Sequence, residues 1–246
     1  NKVLAWARAG KGSLAFAGRT RTGGRGTGGG LGNQAGLALS ADGEWLYVVN
    51  AGSDSLSVFR VNGTTLTRTD VEPSRGDRPV SVAVHGSLVY VLNAGGRGNI
   101  RGFRRSASGA LTFISGSGRR LSARRVQPVQ VGFNPAGTRL YVTERRTDRI
   151  TRYAIGAGGA AGAPSWSRSA GLEPWGFDWT SDGLLVVSEA GDHVNDGSSA
   201  SSYRLGSSGM PITLSGAVRT TETAACWAVV TPNDRFAYVT NTPDHS

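Results

Sequence analysis

Three observations predict an all-β chain, a β-propeller of four-stranded antiparallel blades with about five blades' worth of sequence present. A short apolar strand carrying one aromatic returns at intervals of roughly 40 to 50 residues, the period of propeller blades. A mostly apolar run and a tight turn precede each copy. Gly, Asp, Asn and Ser clusters separate the runs throughout, as between antiparallel strands joined by turns.

The stretch from Gln34 to Val61 shows the unit most clearly. Leu37 and Leu39 alternate with small residues up to a turn at Ala41-Asp42-Gly43, Trp45 to Asn50 forms a second strand, and Leu56, Val58 and Val61 mark a third. The second-strand anchor is Tyr47, Tyr90, Tyr141 and Tyr238 in four copies and Val186 in a fifth. First strands that are apolar or small on both faces suit burial between neighbours. Third strands carry Phe59, Phe103, Tyr153 and Tyr203, and a more polar fourth strand, as in Leu66 to Val71, suits an outer edge. The termini read as half repeats. The expected division is a half blade over 1–30, blades over 31–78, 79–127, 128–173 and 174–223, and a half blade over 224–246, all in one domain. The halves could complete one blade and close a five-bladed ring, or the chain could be part of a larger propeller.

Composition fits this reading. At 246 residues the chain can bury a substantial core, and its 37 glycines sit mostly between apolar runs. The net charge of +10 comes almost entirely from arginine, since the only lysines are Lys2 and Lys11. Such a field favours anionic ligands, but no interleaving of basic and aromatic residues accompanies it, so nucleic acid is disfavoured as a partner. Cys226 is the only cysteine, which excludes an intramolecular disulfide and argues against a Cys-based zinc site. No apolar run approaches the roughly 20 residues that span a bilayer. No leader is legible, and the compartment stays open with a lean to secretion or the cell envelope.

The YVTN-type strands and the DG or PAG turns resemble the lactonase-like seven-bladed β-propellers, which include 6-phosphogluconolactonase-like and carboxymuconate-lactonising members. The resemblance spans nearly the whole chain. It implies a seven-bladed architecture, and hence a chain that is part of a larger ring. It also implies a histidine-containing loop at the channel mouth, which does not align here: His85 ends a first strand, His193 lies in a long loop and His245 is almost terminal.

In a propeller the natural ligand site is the mouth of the central channel. Candidates opening the first strands are Asn33, Gln34, Gln130, Trp175, Cys226 and Trp227, and those closing the second strands are Asn50, Asn93, Glu144, Glu189 and Asn241. Glu144 and Glu189 stand where other copies have Asn, so they could form an acid–base pair; hydrogen bonding to the following turn is the preferred alternative. His193, near Glu189 in sequence, is the first choice for proton transfer. Arg145 would meet a developing oxyanion. Asp192 to Asp196 is oxygen-rich but lacks a full calcium-loop pattern, so no metal is expected. The match Gly24-x-Gly26-x-x-Gly29 precedes a strand rather than a helix, so no dinucleotide cofactor is expected, although Arg25 and nearby backbone N–H groups could cradle an anion. Cys226 is the kind of lone thiol that usually packs inertly.

Two functions follow as expectations: a propeller presenting a rigid face to an anionic or sugar-lactone ligand or to a protein or glycan partner, and a hydrolase opening a lactone at the mouth.

Overall fold

The computed structural model describes residues 1–192 and 194–242. It is a β-propeller of antiparallel sheets, and among the described residues the only helical element is the single 3-10 turn Arg145–Thr147. A two-stranded sheet comes first, β1 (Lys2–Arg8) with β2 (Leu14–Arg21). The first complete blade is β3 (Leu37–Leu39), β4 (Trp45–Asn50), β5 (Ser55–Asn62) and β6 (Thr65–Pro73). The second is β7 (Pro79–His85), β8 (Leu88–Asn93), β9 (Asn99–Arg105) and β10 (Leu111–Phe113), with β11 (Arg119–Arg120) also pairing β9. Next come β12 (Pro128–Phe133), β13 (Arg139–Glu144), β14 (Arg149–Ala154) and β15 (Ser165–Arg168), then β16 (Pro174–Trp179), β17 (Leu185–Glu189), β18 (Ser199–Leu205) and β19 (Pro211–Arg219). β20 (Ala225–Val230) and β21 (Ala237–Asn241) form the last sheet, separate from β1 and β2.

Strand order follows chain order, so β3, β7, β12, β16 and β20 are the innermost strands. The second strands are where packing is tightest. β4 and β8 are buried along their whole length because their two faces meet neighbouring blades. Alternation sends Tyr47, Val49 and Val58 toward Val82, Val89 and Val91 of the next blade, while Leu46, Val48 and Phe59 pack on Val3 of the first sheet.

The recurring tyrosines do more than fill space. Tyr90 donates its hydroxyl hydrogen to the carbonyl of Gly159 at 2.7 Å, and Tyr141 does the same to Gly209 at 2.7 Å, in each case reaching the outer hairpin of the next blade. Burial pushes both phenols up to about 12. Tyr47 instead accepts from Arg105 Nε at 2.9 Å. The end sheets lack such neighbours on their outer faces: Trp6, Phe16, Trp227 and Tyr238 are each at least half exposed.

Candidate functional site

The mouth is built by backbone geometry that repeats from blade to blade. The residue at or just before the start of each inner strand has positive φ: Ala35 59°, Arg78 53°, Gln127 49°, Glu173 55° and Ala224 56°. Non-glycine residues adopt this conformation only when the surroundings hold it. The hold is visible, because Asp54 Oδ1 accepts the N–H of Arg78 at 2.6 Å and Asp148 Oδ1 accepts that of Glu173 at 2.9 Å. An aspartate from the hairpin of one blade thus fixes the entry of the next.

Arg78, Gln127 and Arg145 line a cavity of about 360 Å³, together with Arg97, Arg125 and the glycine-rich stretch Gly30, Leu31 and Gly32. Four arginines and no carboxylate are among the lining residues. Among the described residues, Arg78, Arg97 and Arg125 make no ion pair, whereas Arg145 Nε lies 3.2 Å from Glu173 Oε1 and its guanidinium stacks 4.9 Å over the Trp175 ring. Arg124 and Arg120 hold the exposed Arg97 guanidinium below its usual range by repulsion. The cavity therefore sits in a positive field with few internal counter-charges.

Glu144 and Glu189 do not line this cavity. Both are fully buried, each inside a set of donors. Glu144 accepts from Ser122 N at 2.9 Å, from the Ser122 hydroxyl, from Thr151 Oγ1 at 2.8 Å and from Thr147 Oγ1 at 3.2 Å. Glu189 accepts from Ser169 Oγ and Gly171 N at 2.8 Å, Ser201 Oγ at 2.7 Å, Tyr203 OH at 3.3 Å and Ser199 Oγ at 2.5 Å. A β-carbon at Gly171 would lie 2.2 Å from Glu189 Oε2, so only glycine lets the connecting loop approach this closely. Asn50 and Asn93 occupy the same place. Asn50 donates to Ser57 Oγ at 2.8 Å, and that serine holds the carbonyl of Thr22; Asn93 donates to Asn99 Oδ1 at 3.0 Å and to the Ser74 carbonyl at 3.4 Å. In all four blades the second-strand end is tied, directly or through one hydroxyl, to the loop arriving from the previous blade.

The other candidates scatter. His193 lies outside the described residues, and Asp192 is exposed. Cys226 is buried with Sγ 3.4 Å from Thr242 Oγ1, and Asn241 is buried in register with Ala225. Arg25 is exposed, outside the cavity lining, with its backbone tied to Ser53 and Gly52. Asn33 and Gln34 turn into the channel, where Asn33 O accepts from Trp227 Nε1 at 2.9 Å and Gln34 pairs with Ala228. Of the sequence-derived candidates, Arg145 alone lines the arginine cavity, with Trp175 beneath it. Arg78, Arg97, Arg125 and Gln127 escaped sequence reasoning, although Arg78 and Gln127 both directly precede a Pro that opens an inner strand. Among the described residues, no group of three or more His, Cys, Asp or Glu side chains is placed to hold a metal ion.

Comparison with known proteins agrees with this architecture. A model of the seven-bladed β-propeller lactonase family matches residues 1–127. No curated protein sequence matches the chain. Among solved structures, the chain is similar to the periplasmic gluconolactonase of Pseudomonas aeruginosa, at 19% identity over 98% of this chain and 70% of that one, with a TM-score of 0.68. A functionally unknown protein of Desulfotomaculum acetoxidans gives a TM-score of 0.73 at 12% identity, over 92% of this chain and 66% of that one. A candidate 6-phosphogluconolactonase of Bacteroides fragilis gives 0.64 at 20% identity, over 83% and 63%. At these identities the likeness is one of fold, and the chain spans less than two thirds of the last two proteins. With the matched model covering just over half of the chain, and the four-stranded antiparallel blades in agreement, the protein belongs to the seven-bladed β-propeller lactonase family.

Proposed function

We propose that this propeller binds a small, oxygen-rich anion, a sugar acid or sugar lactone bearing carboxylate or phosphate, in the arginine-lined cavity at the channel mouth. The observation that carries the reading is the lining itself: four guanidinium groups, three of them without an ion pair among the described residues, and no carboxylate. Arginine presents a planar fork that matches carboxylate and phosphate oxygens with two hydrogen bonds at once. The names of the similar gluconolactonases support the choice of a sugar-derived anion.

Calorimetric titration tests it, with gluconate and 6-phosphogluconate as ligands and sorbitol as the neutral control. The expected result is binding of the anions only, weakened roughly tenfold or more by Arg125→Ala, in line with the loss of one charge-assisted contact. Equal affinity of wild type and Arg125→Ala would sink the proposal.

A second reading, hydrolysis of the bound lactone, draws on the Arg145–Glu173 pair. Glu173 is a buried carboxylate 3.2 Å from a cavity arginine, so it could orient and deprotonate a water while Arg145 meets the oxyanion. Base uptake in a pH-stat with δ-gluconolactone, no faster with wild type than with Glu173→Gln, would refute it.

A further inference from the structure

The channel of this propeller is crossed by its own chain. Asn33 and Gln34, at the end of the glycine-rich stretch, touch all four of the other inner strands. Asn33 Nδ2 donates to the carbonyl of Val80 in β7, and its carbonyl accepts from Trp227 in β20. Gln34 N donates to Val129 O in β12 at 3.3 Å. Its side chain passes over Gly176 of β16, where a β-carbon would lie 1.8 Å from Oε1. It then forms a reciprocal pair with Ala228: Nε2 donates to the carbonyl at 2.9 Å and Oε1 accepts the N–H at 3.0 Å. Gln130 makes the same reciprocal pair with Phe177 between adjacent blades, at 2.9 and 2.8 Å. Gln34 thus performs across the channel an amide exchange that the fold uses elsewhere between neighbours.

The residues just before this anchor, Gly30, Leu31 and Gly32, form one wall of the arginine cavity, and Arg78 Nη2 donates to Leu31 O at 3.4 Å. Among the described residues their three amide N–H groups have no backbone acceptor. A run this rich in glycine loses much conformational entropy on ordering, so something must hold it.

Resting on the anion-binding reading above, we propose that Asn33 and Gln34 are positioning residues of that site. They pin the strap Gly28–Gly32 against the arginines, close the floor of the cavity, and present the strap's free N–H groups to the anion. The cavity is then a blind pocket suited to a monomeric anion, and its affinity depends on two side chains that do not touch the ligand.

The test uses the full chain, with inorganic phosphate as the probe, and compares wild type with Asn33→Ala, Gln34→Ala and the control Gln130→Ala, which removes the matching amide pair away from the strap. Hydrogen exchange of residues 28–32 is expected to rise at least tenfold in the first two variants and to stay at the wild-type rate in the control. The phosphate Kd is expected to rise about five- to tenfold in the first two and to stay within twofold in Gln130→Ala, whatever the thermal stability of each. A purely structural role would weaken phosphate binding equally in the control, which overturns the proposal. Faster exchange with an unchanged Kd overturns it as well. Wild type that binds no phosphate refutes the anion-binding reading itself, and the positioning role falls with it.

Discussion

Replacing Glu189 by glutamine separates a carboxylate that holds a loop from one that does chemistry. Oε1 accepts four hydrogen bonds, from Ser169, Gly171, Ser201 and Tyr203, and Oε2 accepts one from Ser199. Glutamine keeps an acceptor at Oε1, so no donor is orphaned there, but the bonds lose their charge assistance. Hydrogen bonds to a charged group contribute about 1.5–3 kcal/mol and neutral ones about 1. Over the three short bonds at Oε1 the difference is roughly 3 kcal/mol. Burying an amide instead of a charge returns some of that, and Ser199 can rotate its hydroxyl to accept from the new amide. The expected net loss is about 2 kcal/mol, or a fall in Tm of about 4–8 °C for a chain of this size. Thermal unfolding followed by circular dichroism reads it directly. A Tm within 1 °C of wild type would refute the reasoning, and abolished ligand turnover at unchanged Tm would point to catalysis instead.

Other outcomes follow from the same geometry. Gly176→Ala drives a methyl against Gln34 Oε1 and to 2.8 Å from the Cys226 carbonyl, so it should cost about 2 kcal/mol by breaking the reciprocal pair. In a Gln34→Ala background the cost should shrink by about 1 kcal/mol, and strict additivity in urea unfolding would deny the coupling. Tyr90 and Tyr141 are raised from 10.0 to about 12, so the folded state holds these protons more tightly than the unfolded chain. Their contribution is complete below pH 10 and is lost as pH rises from about 10 toward 12. Denaturant midpoints across that window should fall less in the Tyr141→Phe protein, and an identical fall would count against the assignment.

Much of the fold is legible because its period is written in the side chains. Tyr47, Tyr90 and Tyr141 recur where a buried strand needs a large residue with a polar tip, and the apolar first strands β7 and β12 are buried on both faces for most of their length. β3 and β20 depart from that expectation, since Leu37, Leu39, Trp227 and Val229 are each at least half exposed where no neighbouring blade covers them. The site is less legible for a physical reason. Arg78 and Gln127 line the mouth from positions of positive φ, held at Arg78 by Asp54 of the preceding blade, which no local pattern encodes. Arg97 and Arg125 come from different loops of the second blade and its exit, and only the ring brings them together. Glu144 and Glu189 drew attention as changes of chemistry at a repeated position. The structure fills both with serine and threonine donors whose spacing, at Ser122, Thr151, Ser169 and Ser201, spans adjacent blades.

The tyrosine contacts lace the seams between blades from both sides. Tyr90 reaches from the second blade to the outer hairpin of the third and Tyr141 from the third to that of the fourth. Tyr153 of the third blade donates back to Arg120 O of the second at 3.0 Å, and Tyr203 of the fourth accepts the Ala170 N–H at 2.8 Å from the loop leaving the third. Each of these two seams is thus fastened by one phenol from either blade, and the array behaves as a row of mutually coupled units. Destabilising the last sheets should therefore be felt in order of distance, with the amides of β17 losing protection before those of β13 and those of β13 before those of β4.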